Sequence, residues 1–384
     1  MKTNQFILAI ILLATTSFSG FAFQSKTKSR QSIIIDHSCT KISQIPLEQI
    51  NAAKQKLIVA YGHTSHGSQL TTGMHSLDNF MSKKGYSKGT FSYSGNGENN
   101  SLQLRDCPFA GAEDLGNPDR SSWATASRNY LNEHPEVNVI MWSWCGQAGW
   151  ASNEEIDLYL SLMNQLETDF PDVSFVYMTG HLDGTGEDGQ LNQNNQRIRD
   201  FCKNNNKILY DFADIESFDP DGETNYMQLY ANDNCDYTTT ANESRNWAID
   251  WQNSHTEGVD WYECSAAHSQ ALVGNLKAYA AWWLFARLAG WDNEQSTKVK
   301  QIKAAPTDAK AFVSRNAIHF NIDANEYIEQ AMLFDQQGKA VFSTNKLLNN
   351  IIDIDLLNTR GILFYRITTN TKKKYTGRVM LSSR

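Results

Sequence analysis

The stretch KLIVAYGHTSHGSQ (residues 56–69) predicts a buried strand that ends in a polar turn. Its first part, Lys56–Tyr61, is mostly apolar on both faces, which is typical of a strand inside a parallel sheet. The turn that follows carries His63, Ser65 and His66 among small residues. Open parallel sheets bind ligands beyond the carboxyl ends of their strands, so we expect a functional site at this turn.

Three stretches further along the chain show the same continuous apolar pattern: Val137–Trp142, Val173–Met178 and Lys207–Phe212. Segments with helical spacing of apolar residues lie between or after them. These segments are Asn153–Leu166, Leu191–Asn204 and Asn275–Leu288. Strands and helices in alternation predict a three-layer α/β domain with a parallel sheet.

Polar residues follow the other predicted strands as well. Trp144 and Gln147 follow the second strand, His181 and Asp183 follow the third, and His268 precedes the last helix. We expect the imidazoles to converge at one edge of the sheet. The predicted catalytic residues are His63, Ser65, His66, His181 and His268.

Two long polar stretches, Ser92–Arg128 and Asp219–Asp260, contain Trp, Tyr and Cys, which favours ordered loops that form the walls of a site. The first stretch supplies further polar side chains. The predicted substrate-binding residues are Tyr93, Asn96, Arg105, Trp144, Gln147 and Asp183.

The ends of the chain differ in character from its middle. Residues 1–22 are typical of a signal peptide, with an early positive charge, a short apolar run and a small-residue cleavage site. The predicted catalytic domain covers residues 23–291, and a polar linker covers residues 292–310. Residues 311–384 predict a small all-β sandwich. Its six predicted strands are Phe312–Ile322, Tyr327–Phe334, Ala340–Ser343, Ile351–Leu357, Ile362–Thr368 and Tyr375–Leu381. The chain has six cysteines, an even number, and export would place them in an oxidising environment. We therefore expect one to three disulfides.

Composition excludes some partners and cofactors. A formal net charge of −8 leaves no basic face, so nucleic acid is not expected as a partner. No segment after the signal peptide is long and apolar enough to cross a membrane. Cys-x-x-Cys pairs are absent and His63 lies only three residues from His66, so we expect neither a catalytic metal nor another cofactor. The acidic loop at residues 219–223 is either a structural calcium site or a turn.

The C-terminal segment resembles the sorting domain of the type IX secretion system of Bacteroidota. The resemblance is carried by MLFDQQGKAVFS (residues 332–343) and IDIDLLNTRGILFYRITTNTKKKYTGRVML (residues 352–381). It implies the type IX machinery as a partner and a secreted or cell-surface location. The alternative is a sandwich that binds carbohydrate or mediates adhesion.

The order of elements in residues 55–290 resembles the SGNH (GDSL-like) hydrolase superfamily. IVAYGHTSHGSQ stands in place of the nucleophile block, IMWSWCGQ in place of the Gly-x-Asn block, and DWYECSAAHS in place of the Asp-x-x-His block. The chain lacks the Gly-Asp-Ser and the Asn of that pattern, and Ser265 stands where the Asp is expected. The resemblance therefore implies the fold more strongly than it implies serine hydrolase chemistry.

YGHTSHGSQL, GHLDG and AHSQALVGNLKAYAAWWLFARLAGW also resemble secreted proteins from polysaccharide-degradation clusters of marine Bacteroidota, among them the ulvan lyases of polysaccharide lyase family 40. This resemblance implies an anionic, uronic-acid-containing polysaccharide as the substrate.

The leading expectation is a lyase that cleaves this substrate by β-elimination, because several histidines suit acid and base roles near neutral pH. One alternative is an SGNH-type carbohydrate esterase with Ser65 as nucleophile and His268 as base. A second alternative is a glycan-binding protein without catalysis.

Overall fold

The structure is a computed structural model that describes residues 31–239, 241–292, 310–314, 317–322, 325–335, 339–357, 359 and 361–381. The chain divides into two units, residues 1–292 and residues 293–384. The predicted signal peptide lies outside the described residues, and so do residues 293–309 of the predicted linker.

A seven-stranded sheet forms the centre of the first unit. Its strands are β1 (Ile33–Ile35), β2 (Ile58–Gly62), β3 (Tyr93–Ser94), β4 (Leu102–Asp106), β5 (Val139–Trp142), β6 (Ser174–Met178) and β7 (Ile208–Tyr210). They lie in the order β1-β7-β6-β5-β2-β4-β3, and each neighbouring pair is parallel. The four strands predicted for this unit are confirmed as β2, β5, β6 and β7.

Within the described residues, eight α-helices accompany this sheet. They are α1 (Leu47–Lys56), α2 (Ser68–Lys83), α3 (Ser122–Glu133), α4 (Asn153–Asp169), α5 (Gln190–Asn204), α6 (Phe212–Ile215), α7 (Trp247–Ser254) and α8 (Ala271–Leu288). The three predicted helices are confirmed as α4, α5 and α8. Ser152 begins α4 through a capping box with Glu155, which satisfies backbone N–H groups that have no partner within the helix.

Both faces of the sheet are buried, which explains why its strands are apolar throughout. Successive side chains of a strand point to opposite faces. In β5, Met141 joins the core formed with α2 and α8, while Ile140 and Trp142 join the core formed with α3, α4 and α5. The first unit is therefore an α/β domain with helices on both sides of a parallel sheet.

Helices α2 and α8 approach each other closely behind the sheet. A Cβ atom on Gly73 of α2 would lie 2.0 Å from the carbonyl oxygen of Gly274 in α8. Only glycine permits that approach. It brings the helix that follows β2 against the last helix of the unit.

The long polar stretches contain more regular structure than the sequence indicates. Residues 92–128 include β3, β4 and the start of α3, and residues 219–260 include the hairpin of β8 (Asp236–Thr238) and β9 (Ser244–Asn246) and all of α7. β4 lies next to the edge strand and alternates buried with partly exposed residues, so it lacks the continuous apolar pattern of the central strands.

The described part of the second unit contains two antiparallel sheets. One has β10 (Lys310–Ser314), β11 (Ala317–Asn321) and β14 (Ile351–Asp353), and the other has β12 (Ile328–Phe334), β13 (Ala340–Thr344), β15 (Gly361–Thr369) and β16 (Lys374–Leu381). The single strand predicted over Phe312–Ile322 is wrong, because β10 and β11 pair with each other as separate strands. The strand predicted over Ile351–Leu357 ends at Asp353 and continues as a 3₁₀ turn.

Within the part of the chain that the structure describes, no helix has both the length and the apolar character that crossing a membrane requires.

Candidate active site at the carboxyl edge of the sheet

The turns after β2 and β5 contact each other at the carboxyl edge of the sheet, and the crevice denotes the space outside these two turns. From β2 the chain runs toward β3 and β4 on one side, and from β5 it runs toward β6 on the other side. Adjacent strands with connections in opposite directions form a topological switch point, the usual ligand site of open parallel sheets. The turn after β2 carries His66, and the turn after β5 carries Cys145.

Three of the predicted histidines meet in this crevice and form an imidazole stack of His181, His66 and His268. The rings of His66 and His181 are parallel within 3°, with centroids 3.7 Å apart. The rings of His66 and His268 are 4.4 Å apart at 16°. His66 is buried, whereas His268 is exposed and has a φ of +60°, which a residue other than glycine rarely adopts. The stack thus connects the interior of the crevice with solvent.

His181 is the neutral member of the stack. Its Nδ1 donates to the carbonyl oxygen of Leu182 over 2.7 Å, which leaves Nε2 without a proton in the neutral ring. Burial lowers the pKa of His181, and the neighbouring charge of His66 lowers it further. At neutral pH, the free Nε2 of His181 can act as a base.

His66 is the charged member of the stack. Its Nε2 lies 2.9 Å from Asp233 Oδ2, and its Nδ1 lies 3.5 Å from Cys145 Sγ. Burial favours the neutral ring, but hydrogen bonds to Asp233 and Cys145 outweigh burial and raise the pKa of His66. Burial likewise opposes the Asp233 carboxylate, and the contact with His66 still lowers the pKa of Asp233. The contacts of His66 with Asp233 and Cys145 therefore favour an imidazolium beside the neutral ring of His181.

His63 does not belong to the stack. Its Nε2 lies 2.6 Å from Asp106 Oδ1, and its Nδ1 lies 3.0 Å from the carbonyl oxygen of Thr64. Burial opposes the charged ring, but hydrogen bonds to Asp106 and Cys107 outweigh it and raise the pKa of His63 to about 10. Since both ring nitrogens face acceptors, His63 is a fixed cation and not a base.

The His63–Asp106 pair should make stability depend on pH. The pKa of His63 rises from 6.5 to about 10 on folding, so the pair stabilises the folded state fully below pH 6.5. That stabilisation is lost as the pH rises through about 10. The measurement is urea unfolding of wild type and His63→Gln at a series of pH values. We expect the difference between their free energies of unfolding to decrease as the pH rises from 6.5 to about 10. A gap that stays constant would contradict the assignment.

Two of the other predicted residues lie beside the crevice. Gln147 accepts a hydrogen bond from the Cys145 N–H over 2.9 Å and donates to Asp114 over 3.0 Å, so it fixes the turn after β5. The Ser65 hydroxyl lies 3.5 Å from Cys145 Sγ. In the described residues its side chain thus contacts a thiol and not a histidine.

Other predicted substrate-binding residues are engaged by the protein itself. Trp144 is buried and donates to the carbonyl oxygen of Met178, Arg105 pairs with Glu136 at 2.7 Å, and Tyr93 donates to the carbonyl oxygen of Thr71. Asn96 and Asp183 are both exposed, and Asp183 lies in the turn after β6. The structure gives Trp144 and Arg105 packing and pairing roles, and their part in substrate binding stays a prediction.

A buried polar network lies beneath the stack. Lys277 of α8 is fully buried and pairs with Glu216 and with the side-chain oxygen of Gln69. Burial lowers the pKa of Lys277 to about 8. Glu216 accepts from the Leu182 N–H, and Gln69 donates to the carbonyl oxygen of Ala267. The network therefore holds the two turns that present His181 and His268.

Exposed aromatic rings border the crevice. Trp150 is 68% exposed and Tyr230 is 62% exposed. A Cβ atom on Gly146 would lie 2.9 Å from the Trp150 ring and 3.8 Å from His181 Nε2, so the indole lies close to the base. Tyr230 packs against Gly186, in the segment after His181. Exposed rings of this kind suit the apolar faces of sugars.

Several important residues were not identified from the sequence: Cys145, Asp233, Asp106, Glu216 and Lys277. Cys145 follows a predicted strand directly, so its position carried a usable signal. Asp233 lies in a polar stretch with many equivalent carboxylates, and Lys277 lies in an otherwise apolar helix. Their roles depend on partners that are distant in sequence.

Three groups of described residues bring ligand-type atoms within 4.8 Å of one another. They are His63, Asp106 and Cys107; His66, His181 and Asp233; and Asp36, His37 and Asp214. In the acidic loop expected either to bind calcium or to form a turn, Asp219 Oδ1 accepts the N–H groups of Asp221 and Gly222. These bonds are typical of a turn.

All six cysteines are free thiols in the structure, and the disulfides stay a prediction.

Comparison of the chain with models of known protein families gives no match. A search among curated proteins gives none either. The functional argument therefore rests on the geometry of the crevice.

Proposed function

We propose that this protein is a secreted enzyme that cleaves a uronic-acid-containing polysaccharide, of the ulvan type, by β-elimination. The observation that carries the proposal is the parallel contact between a neutral His181 with a free Nε2 and a charged His66. A neutral base held beside a positive charge suits a reaction that removes a proton while negative charge develops on the substrate.

In this mechanism, His181 Nε2 removes the C5 proton of the uronic acid. The electrons of the C5–H bond form a C4=C5 double bond, and the C4–O4 bond breaks. The imidazolium rings of His66 and His63 supply positive charge for the sugar carboxylate while negative charge develops on it. His268 is exposed at the end of the stack and protonates the departing O4.

Trp150 and Tyr230 support a carbohydrate as the substrate. Isolated apolar residues are common on protein surfaces, but the Trp150 ring lies close to His181 Nε2, and Tyr230 packs against the segment that follows His181. The proposal places sugar rings of the chain against these aromatic faces, with one uronic acid positioned over His181.

The proposal extends to export and fold. It takes the first unit to be SGNH-like and the second unit to be a type IX sorting domain, so that the enzyme is delivered outside the cell. The parallel sheet of the first unit and the antiparallel sheets of the second support this assignment.

The direct test incubates the purified full chain with ulvan, alginate or pectin and records the ultraviolet absorbance of the C=C bond conjugated to the carboxylate. We expect this absorbance to rise with at least one of them. Acetate release from an acetylated glycan that is lost in Ser65→Ala, with no rise in absorbance on any of the three polysaccharides, would instead identify an esterase. Binding without either product would identify a glycan-binding protein, and both outcomes overturn the lyase proposal.

A further inference from the structure

We infer that Cys145 is a second reactive centre of the crevice, a nucleophilic thiol that His66 activates and that accepts acyl groups from esters. This inference goes beyond the proposed elimination and does not depend on it. It gives a chemical role to a residue that the elimination does not use.

The geometry is that of a nucleophile, a base and an orienting carboxylate. Cys145 Sγ lies 3.5 Å from His66 Nδ1, and His66 Nε2 lies 2.9 Å from Asp233 Oδ2. The three residues come from the turn after β5, the turn after β2 and the segment before β8, respectively. A base that is itself held by a carboxylate is the arrangement that activates a weak nucleophile.

The surroundings of Cys145 stabilise a thiolate. The Ser65 hydroxyl lies 3.5 Å from the sulfur, and α2 begins at Ser68, so the positive end of the helix dipole lies nearby. Burial opposes ionisation, but the hydrogen bonds from Ser65 and His66 outweigh burial and lower the pKa of Cys145.

Other cysteines show the opposite behaviour. Burial raises the pKa of Cys39 to about 11 and that of Cys264 to about 12, and it raises the pKa values of Cys202 and Cys235 as well. These four thiols are inert at neutral pH, because the thiolate is the reactive form. Cys145 is half-buried and faces the crevice, so an electrophile bound there can reach it.

The chemistry balances without an oxidant or an added cofactor. The Cys145 thiolate attacks the ester carbonyl carbon and forms a C–S bond. The C–O bond to the alcohol then breaks, and the departing oxygen takes the proton held on His66 Nδ1. Water gives a proton to His66 and attacks the thioester, which releases a carboxylic acid and restores the thiolate–imidazolium pair. The same crevice would thus remove ester-linked acyl groups.

Competitive alkylation tests the reactivity of the thiol. The full chain is treated with iodoacetamide at mildly acidic pH, and the labelled cysteines are quantified by mass spectrometry. A short cysteine-containing peptide added to the same reaction is the reference thiol. We expect Cys145 to react about tenfold faster than this peptide, since Ser65 and His66 stabilise the Cys145 thiolate at that pH. A rate no faster than that of the peptide would overturn the inference.

Variants of the partners sharpen the result. His66→Gln and Asp233→Asn should both slow the labelling of Cys145, and His75→Gln, at an exposed histidine of α2, should not. Circular dichroism confirms that each variant is folded. Labelling that is unchanged in both partner variants would contradict activation by His66.

A second measurement tests acyl transfer itself. p-Nitrophenyl acetate should release nitrophenol in a burst and leave an acetyl group on Cys145, which hydroxylamine removes. Cys145→Ser should abolish the labelled peptide. A fast alkylation without an acetyl group on Cys145 would overturn the acyl-transfer role. The assay contains no polysaccharide, so its outcome is independent of the proposed elimination.

Discussion

Replacing His181 with alanine is expected to lower the kcat of polysaccharide cleavage by about 10²- to 10⁴-fold, because the variant lacks the base that removes the C5 proton. The fold should persist, since within the described residues the His181 side chain makes one hydrogen bond, to the neighbouring carbonyl oxygen of Leu182. The measurement is the initial rate of ultraviolet absorbance on the polysaccharide that wild type cleaves. His75→Ala is the matched control, because His75 is an exposed histidine outside the crevice.

The pH profile gives an independent check on this role. A base must be unprotonated to act, and burial lowers the pKa of His181 below 6.5. The rate of cleavage should therefore rise as the pH increases through a value below 6.5. This rising limb of the pH profile should be absent in His181→Ala. An alanine variant that retains most of the wild-type rate, or a limb that persists in it, would remove His181 from the mechanism.

Replacing Lys277 with methionine is expected to destabilise the protein by about 3–5 kcal/mol, because it leaves the Glu216 carboxylate buried without its charged partner. The side chains of Lys277 and Glu216 are 0% and 1% exposed, so water cannot replace the lost contact. The free energy of unfolding in urea measures the effect. Arg197→Met is the control, since Arg197 and Asp157 form an exposed pair that contributes little.

A double variant separates the destabilisation caused by the unpaired charge from the destabilisation caused by altered packing. Lys277→Met combined with Glu216→Gln removes both buried charges and should recover part of the lost stability. The Lys277→Met variant should also lose kcat under conditions where it is folded, because Leu182 and Ala267 are held through Glu216 and Gln69. Equal destabilisation by Lys277→Met and Arg197→Met would show that the buried pair is unimportant.

The central strands were predictable because burial on both faces leaves a continuous apolar pattern. β5 consists of four buried residues and stands out in any scan of the chain. β1 and β3 have three and two residues, which is too short for a periodic pattern to emerge. Edge strands also receive less burial, so their sequences are constrained less.

The site was predictable only in part. His66 and His181 follow predicted strands, and His268 precedes a predicted helix. These positions were sufficient to predict that the three side chains lie close together. His63 satisfies the same positional rule, yet it pairs with Asp106 at the end of β4, a strand that the sequence analysis missed. The partners of Lys277 lie 61 and 208 residues away, and no local pattern reports contacts over such separations.

The turns that present His181 and His268 are attached to α8, so the proposed activity should require the complete first unit. The last helix of the first unit supplies the ammonium on which the turns after β6 and before α8 depend, so a growing chain gains its activity only when residue 277 is in place. A protease that removes α8 should therefore abolish the proposed activity.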